Sequence, residues 1–331
     1  MKGFSYFIIV VMFLIIINGC TKSTDSTTLV TKTATISLGA GYANDVFYRL
    51  SDGLSTAVPR NNWDIAFSVD AREAAILANS TAGVILKVYP TTEGWDWSDP
   101  VDTTGFKSWT PLYNSDTTWT EGAFNMNATG HPNYGWGEYD SNTHNLTGVA
   151  LYILKTRAGA YKKIWIMNKL SAQQKYSFRY SDLDGLNEQT VDLDLAASLK
   201  NFAYYSVDTN EEIDREPESD KWDILFTKYN TIIESQNYTV TGVLQNFDVT
   251  AQESTDTDPM SKAFPTTGFL TNISTIGSDW KIINMETFQY DMDDTRVFYV
   301  KDLNGNVYRL KFKTFEGSGT GNLSFDICTL E

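Results

Sequence analysis

Two histidines are the side chains of this sequence with the most specific chemistry. His131 and His144 are the only histidines among 331 residues, and they lie 13 positions apart in the stretch "GHPNYGWGEYDSNTHN". Imidazole nitrogen is a common metal ligand, and the thioether of Met126 is a third candidate ligand nearby. Tyr134 and Trp136 stand between the two histidines. Iron ligands beside aromatic surface are what a haem site needs, because haem requires apolar walls and one or two axial ligands.

The alternative interpretation of each histidine is an ordinary loop residue that faces solvent or makes a hydrogen bond. Pro132 biases His131 toward an extended backbone, and the neighbouring glycines indicate a loop. His144 stands just before a predicted strand. Zinc is poorly supported, because it takes three or four clustered ligands and this chain offers two histidines and a distant cysteine.

Other chemistry has little support in the sequence. No Ser-His-Asp or Cys-His arrangement recurs, and no glycine-rich phosphate loop joins a strand to a helix. We therefore expect a protein that is not an enzyme. The formal net charge of −15 argues against a basic patch for nucleic acid or for an anionic lipid surface.

The N-terminus predicts export. Residues 1–19 have a lysine, an apolar run and a small residue before Cys20, as in a lipoprotein signal peptide, so we expect cleavage before Cys20 and lipidation of its thiol. Several acyl chains would hold the protein on the outer membrane or cell surface. Residues 20–33 are rich in Thr and Ser and predict an unfolded tether. Cys328 then has no disulfide partner.

A repeated phrase predicts a duplication. "WDIAF" begins at Trp63 and "WDILF" begins at Trp222, an offset of 159. Segments before the phrase match at an offset of 157, and the closing hairpins, with Gly159 and Gly305, match at 146. The ordered recurrence predicts two homologous domains, at 34–187 and 188–331. Alternating apolar and polar residues between Gly, Asn and Asp clusters predict an all-β fold of antiparallel sheets in each.

The first copy differs from the second by a longer aromatic segment. The change of offset places 13 extra residues between about 90 and 150, and this segment holds both histidines and five of the nine tryptophans. Those tryptophans are Trp95, Trp97, Trp109, Trp119 and Trp136. If one copy carries a binding site, we expect it to be the first. The second copy has no histidine and offers only Met260, Met285 and Met292 as iron ligands, so we expect a spacer or docking role for it.

The order of phrases resembles the HmuY-like family, haem-binding surface lipoproteins of Bacteroidetes. The matching phrases include "WDIAF", "GWGEYDSNTHNL" and "LYILKTRAGAYKKIWI" in the first copy, and "KWDILFTKYN" and "VFYVKDLNGNVYRLKF" in the second. The resemblance implies an all-β protein that holds haem between loops, through histidines or methionine. It also implies delivery of haem to a TonB-dependent outer-membrane transporter. This chain departs from the family in having two units. The loops that hold the family's axial ligands vary, so the resemblance does not assign His131 or His144 to those positions.

Two other functions fit the same residues. Exposed Trp and Tyr stack on sugar rings, so the aromatic segment also suits a carbohydrate-binding surface lipoprotein. Alternatively the aromatic residues fill two β cores, and the protein is a structural or protein-docking module. A row of exposed, coplanar rings would favour sugar binding, and a flat apolar patch would favour docking.

Overall fold

The computed structural model of this chain describes residues 28–91 and 94–330. The strands are β1 Leu29–Ser37, β2 Asn44–Tyr48, β3 Ser55–Pro59, β4 Ile65–Ser68, β5 Ile76–Ala78, β6 Ile85–Val88, β7 Gly137–Tyr139, β8 Leu146–Gly148, β9 Tyr152–Lys155, β10 Tyr161–Leu170, β11 Lys175–Asp182, β12 Gln189–Asp194, β13 Phe202–Ser206, β14 Glu211–Ile213, β15 Ile224–Ile233, β16 Gln236–Gln245, β17 Thr250–Ser254, β18 Lys281–Ile283, β19 Tyr290–Met292, β20 Val297–Lys301, β21 Val307–Phe315 and β22 Asn322–Leu330. Every pairing between these strands is antiparallel, which confirms the predicted all-β class. None of the short helical turns in the described residues has the length or apolar character needed to cross a bilayer.

The strands form five sheets. The largest runs β12-β11-β10-β8-β7, with β9 joining β10 to β6. A second sheet runs β1-β22-β21-β20-β17. Two four-stranded sheets run β14-β13-β4-β5 and β16-β15-β2-β3, and β18 pairs with β19 alone.

The two halves of the chain exchange their first strands. β1 and β2 lie beside β22 and β15, whereas β12 and β13 lie beside β11 and β4. Two bodies result. The first body contains β4–β14, and the second contains β1–β3 together with β15–β22. The predicted division between 34–187 and 188–331 therefore does not separate the sheets, which combine strands from both sides of it.

Equivalent residues occupy equivalent places in the two exchanges. The incoming residues of the two bodies are related by an offset of 157, their partners in β4 and β15 by 159, and their partners in β11 and β22 by 147. The four pairs are Ala34–Phe325, Val191–Phe178, Tyr48–Ile224 and Tyr205–Ile65. The long strands β10 and β21 also carry a bulge at matching positions, Met167 and Lys313.

Each body encloses its own core. The first core is formed by buried apolar residues between Ile65 and Val207, and the second by residues from Ile36 to Leu50 together with residues from Ile224 to Ile327. Strand alternation supplies these residues. Ile36 of β1 and Tyr48 of β2 belong to the second core, and Leu193 of β12 and Tyr205 of β13 belong to the first. The exchanged strands thus contribute large side chains as well as backbone hydrogen bonds.

Trp119 joins the two bodies. Its ring contacts three small apolar clusters, one around Trp63 and Phe202, one around Phe47 and Trp222, and one around Tyr229. Its Nε1 donates to the Gln245 carbonyl at 2.7 Å. The aromatic segment of the first half therefore supplies part of the junction.

The predicted tether is shorter than expected. Residues 29–33, assigned to an unfolded segment because of their Thr and Ser content, form the first half of β1. Their backbone groups pair with β22 from Leu330 to Asp326, so a partner strand compensates for the low apolar content. The predicted signal peptide, Cys20 and tether residues 20–27 lie outside the described residues.

Candidate functional site

The fold brings the two histidines beside one tyrosine. The ring centroid of Tyr139, at the end of β7, lies 5.2 Å from that of His131 and 6.0 Å from that of His144. The Tyr139 hydroxyl and His144 Nδ1 are 2.5 Å apart and share a hydrogen bond. The Tyr134 ring lies 6.4 Å from His131, on the edge of the same group. We call His131, Tyr139 and His144 the histidine face.

The turn between β7 and β8 holds His144 in place. The Asp140 carboxylate accepts hydrogen bonds from the Asn142 amide at 2.8 Å and from the Thr143 hydroxyl at 3.1 Å. These bonds lower the pKa of Asp140, because they favour its ionised form. The His144 amide donates to the Asp140 carbonyl at 2.8 Å, and His144 has a φ of +60°. The left-handed residue turns the chain toward β8, so the turn displays the imidazole.

A second loop holds His131. The Tyr139 amide donates to the Pro132 carbonyl at 2.9 Å, which ties β7 to the segment beside His131. The Asn133 side chain accepts a hydrogen bond from the Gly135 amide at 2.9 Å. Both histidines are exposed, and Tyr139 is half-buried with its body packed on the first core. Solvent therefore reaches both imidazoles.

The other predicted site residues have different surroundings. Trp136 is fully buried, and its Nε1 donates to the Ala74 carbonyl at 2.9 Å, so it belongs to the first core and not to an accessible wall. Tyr134 is half-buried against the same core. Met126 is 50% exposed, after the short helical turn Ala123–Asn125. Tyr139 was absent from the predicted set, although its place between the two histidines in "GWGEYDSNTH" was the available signal.

The histidine face supplies the ligand atoms of a haem site more clearly than it supplies the apolar walls. Two solvent-accessible imidazoles beside a phenol provide candidate axial nitrogens. The five main cavities among the described residues are lined by other side chains. The described residues of the chain also contain no cluster of three or more His, Cys, Asp or Glu able to hold a metal ion. His131 and His144 would hold a haem at the surface, and Tyr139 is the aromatic side chain beside both imidazoles.

The tryptophans of the long segment pack with their edges against the first body. Trp95 meets Trp165 at 5.2 Å and 73°, and Trp109 meets Phe106 at 5.3 Å and 65°. Trp97 lies under the cations of Lys163 and Arg179. All three tryptophans are half-buried. These edge-on contacts differ from the exposed, coplanar row that a sugar platform needs.

Buried lysines fasten this aromatic segment to the sheet. Lys163 donates to the carbonyls of Trp97 and Asp99 at 2.6 and 3.1 Å, and Lys87 donates to the Phe106 carbonyl at 2.6 Å. Burial lowers the pKa of both lysines. Because each ammonium binds backbone carbonyls, the segment is held by its main chain, and its rings are positioned as a consequence.

The second body offers methionines in place of histidines. Met260 and Met285 are 71% and 69% exposed, and Met292 packs against the second core. Nothing equivalent to the histidine face occurs among the described residues of this body, because both histidines lie in the first.

Comparison with known proteins gives remote structural similarity only. No protein-family model and no curated protein matches the chain. The crystal structure of apo PinO from Porphyromonas gingivitis is similar at 12% identity and a TM-score of 0.34, over 91% of this chain and 98% of that chain. A protein from Bacteroides vulgatus, provisionally named an HmuY-like haem-binding protein, is similar at 12% identity and a TM-score of 0.22, over 47% and 92% of the two chains. A provisionally named lipoprotein from Bacteroides fragilis is similar at 12% identity and a TM-score of 0.23, over 58% and 94%.

Proposed function

We propose that this protein is a non-catalytic lipoprotein of the cell envelope that binds haem at the histidine face. The observation that carries the proposal is that both histidines of the chain lie beside Tyr139, although they come from two separate loops. The resemblance of the sequence phrases to the HmuY-like family supports the same ligand. Lipidation at Cys20 would hold the protein at the outer membrane or cell surface, where it would pass haem to a TonB-dependent transporter.

The side chains have distinct roles in this proposal. His131 and His144 supply imidazole nitrogens, and bound haem supplies an iron centre that accepts them. In the tautomer with its proton on Nδ1, His144 donates to the Tyr139 hydroxyl and keeps the lone pair of Nε2 free for ligation. Tyr139 is then a positioning residue, because its hydrogen bond to Nδ1 orients the ring and leaves Nε2 for the iron.

A haemin titration followed by absorbance tests the proposal. We expect the protein without its signal peptide to give a Soret shift that saturates at one equivalent. The double variant His131→Ala/His144→Ala should lose the shift, and Tyr139→Phe should weaken haem affinity by about tenfold, as for outer-shell partners of metal ligands. Met285→Ala changes an exposed methionine of the second body and should leave the titration unchanged.

The outcomes separate the alternatives. A shift that survives the double histidine variant and disappears with Met126→Ala would move ligation to the methionine and refute the histidine face. Absence of any shift with oxidised and reduced haem would refute haem binding altogether.

A further inference from the structure

A cavity of about 70 Å³ lies at the junction of the two bodies. We call it the junction cavity. The first body contributes Trp63, Tyr204 and Arg215 to its lining, and the second contributes Lys228 and Tyr229. Trp119, which connects the apolar clusters of the junction, lines it as well. The cavity has aromatic walls, and cations reach it from both bodies.

Two hydrogen-bond donors at this cavity lack acceptors. Trp63 and Arg215 are only 8% and 6% exposed, and neither Trp63 Nε1 nor Arg215 Nε has a hydrogen-bond partner in the described structure. A buried donor without an acceptor is destabilising, so such groups are rare unless something binds them. Both donors are suited to an acceptor that enters the cavity.

The charges around the cavity also favour an anion. Arg215 forms a buried ion pair with Asp45 at 2.6 Å, and Asp45 is the one acid that lines the cavity. Lys228 adds a second cation, and Arg60 lies close enough to lower the pKa of Lys228 further after burial has lowered it. The cavity is therefore locally positive in a chain whose net charge is −15.

A further buried acid, Glu216, interacts with two of the lining residues, Tyr204 and Arg215. Glu216 accepts hydrogen bonds from the backbone amides of Asn201 and Phe202 at 3.3 and 3.1 Å. It does not line the cavity, and burial raises its pKa to about 7. Ionised Glu216 therefore offsets part of the charge of Arg215, whereas Lys228 forms no ion pair in the described structure.

The equivalent position in the other strand exchange, around Trp222, is apolar. At the offset of 157, Asp45 corresponds to Phe202 and Arg215 corresponds to Val58. Trp222, the counterpart of Trp63, packs with Phe47 and Leu225, and its Nε1 also lacks an acceptor. An indole N–H without an acceptor thus occurs at both Trp63 and Trp222, whereas the cations and the cavity occur only beside Trp63 in the described structure. This asymmetry separates a binding site from a shared packing feature.

We propose that the junction cavity binds a small organic carboxylate. The carboxylate would accept hydrogen bonds from Trp63 Nε1 and Arg215 Nε, and a short apolar tail would contact Trp119 and Tyr204. A water-sized atom occupies about 10–15 Å³ of such space, so the cavity has room for roughly five or six heavy atoms. The site is separate from the histidine face and does not depend on haem.

Calorimetric titration with propionate tests this site, and propionamide serves as a neutral probe of the same size. We expect propionate to bind saturably at one equivalent and propionamide to bind at least about tenfold more weakly, because charge-assisted hydrogen bonds are the stronger ones. Trp63→Phe keeps the ring and removes the donor, so it should raise the propionate Kd about tenfold. Trp222→Phe removes the matching donor outside the cavity and should leave the Kd unchanged.

Further measurements keep the test decisive. Lys228→Met should weaken propionate binding several-fold through the lost charge, and the double variant of His131 and His144 should bind propionate normally. Equal binding in wild type and Trp63→Phe would overturn the proposal. So would absence of binding at millimolar propionate, or inorganic phosphate binding as tightly as propionate, since the apolar tail would then contribute nothing.

Discussion

Replacing Asp223 by asparagine should stabilise the protein at pH 8, although the side chain is buried and hydrogen-bonded. Asp223 and Asp64 are the aspartates of the two Trp-Asp phrases, and each accepts a backbone N–H at the end of an exchanged strand. The Leu50 amide donates to Asp223 at 2.7 Å, and the Val207 amide donates to Asp64 at 2.8 Å. The two carboxylates differ in their other neighbours. Asp64 is paired with the Arg157 guanidinium at 2.9 Å, whereas Asp223 has no ion pair in the described structure.

The environment of Asp223 favours its protonated form. Burial, with a smaller contribution from the charge of Asp302, raises the pKa of Asp223 from 3.8 to about 6. Protonated Asp223 therefore contributes to the stability of the fold below pH 3.8, and this contribution is lost as the pH rises through 6. At about 1.4 kcal/mol per pKa unit, ionised Asp223 costs about 3 kcal/mol at pH 8. Asparagine keeps an acceptor for Leu50, and its new amide donors offset about 1 kcal/mol of the gain.

Urea unfolding at pH 8 and pH 5 checks this reasoning. We expect Asp223→Asn to raise the free energy of unfolding by about 2 kcal/mol at pH 8, and this gain should shrink by about 1.5 kcal/mol at pH 5, where folded Asp223 is largely protonated. The matched variant Asp64→Asn should destabilise by about 3 kcal/mol or more, because it leaves Arg157 without its buried partner. Losses of similar size in both variants at both pH values would refute the argument.

Three further predictions follow from the exchange of strands and the burial of single side chains. A chain of residues 61–331 lacks β1–β3, so we expect circular dichroism to show incomplete folding, with recovery when a peptide of residues 28–60 is added; a cooperative fold without the peptide would contradict this. Trp119→Ala should lower stability by about 3 kcal/mol and split thermal unfolding into two transitions, because the ring connects the two bodies; a single transition at an unchanged temperature would argue against that role. Cys328 is 2% exposed and accepts a hydrogen bond from Thr31 Oγ1 at 3.3 Å, so a thiol reagent should modify it only in denaturant.

The sequence alone identified the kind of structure. Alternating apolar residues and glycine turns specify antiparallel strands locally, because side chains alternate faces with a period of two residues. The aligned hairpin glycines are an example: Gly159 and Gly305 have φ values of +94° and +85°, which tight hairpin turns require. The presence of both histidines in one short loop-rich segment was also readable, because they are only 13 residues apart.

Other features required the tertiary structure. The two halves have similar strand edges, so β1 suits the last strand of either half, and the sequence pattern is the same for both choices. Pairing of β1 with β22 explains why residues 29–33 are ordered despite their polar composition. Likewise, "AGVIL" at 82–86 and "TGVLQ" at 241–245 match at the offset of 159, and they lead into β6 and end β16. In the structure β6 pairs with β9 as β17 pairs with β20, so the counterpart of β6 is β17 and not β16.

The candidate functional site likewise combines features that the sequence predicts with features that only the tertiary structure decides. Trp136 and Tyr139 are aromatic residues three positions apart in one segment, and no local pattern separates their roles. The fold buries Trp136, whose Nε1 donates to the Ala74 carbonyl, and places Tyr139 beside both histidines. The junction cavity depends on Asp45 and Arg215, which are 170 residues apart. The sequence therefore determined the strands and the residues with chemistry, and long-range pairing decided which of those residues meet, because contacts between distant strands leave no local signal.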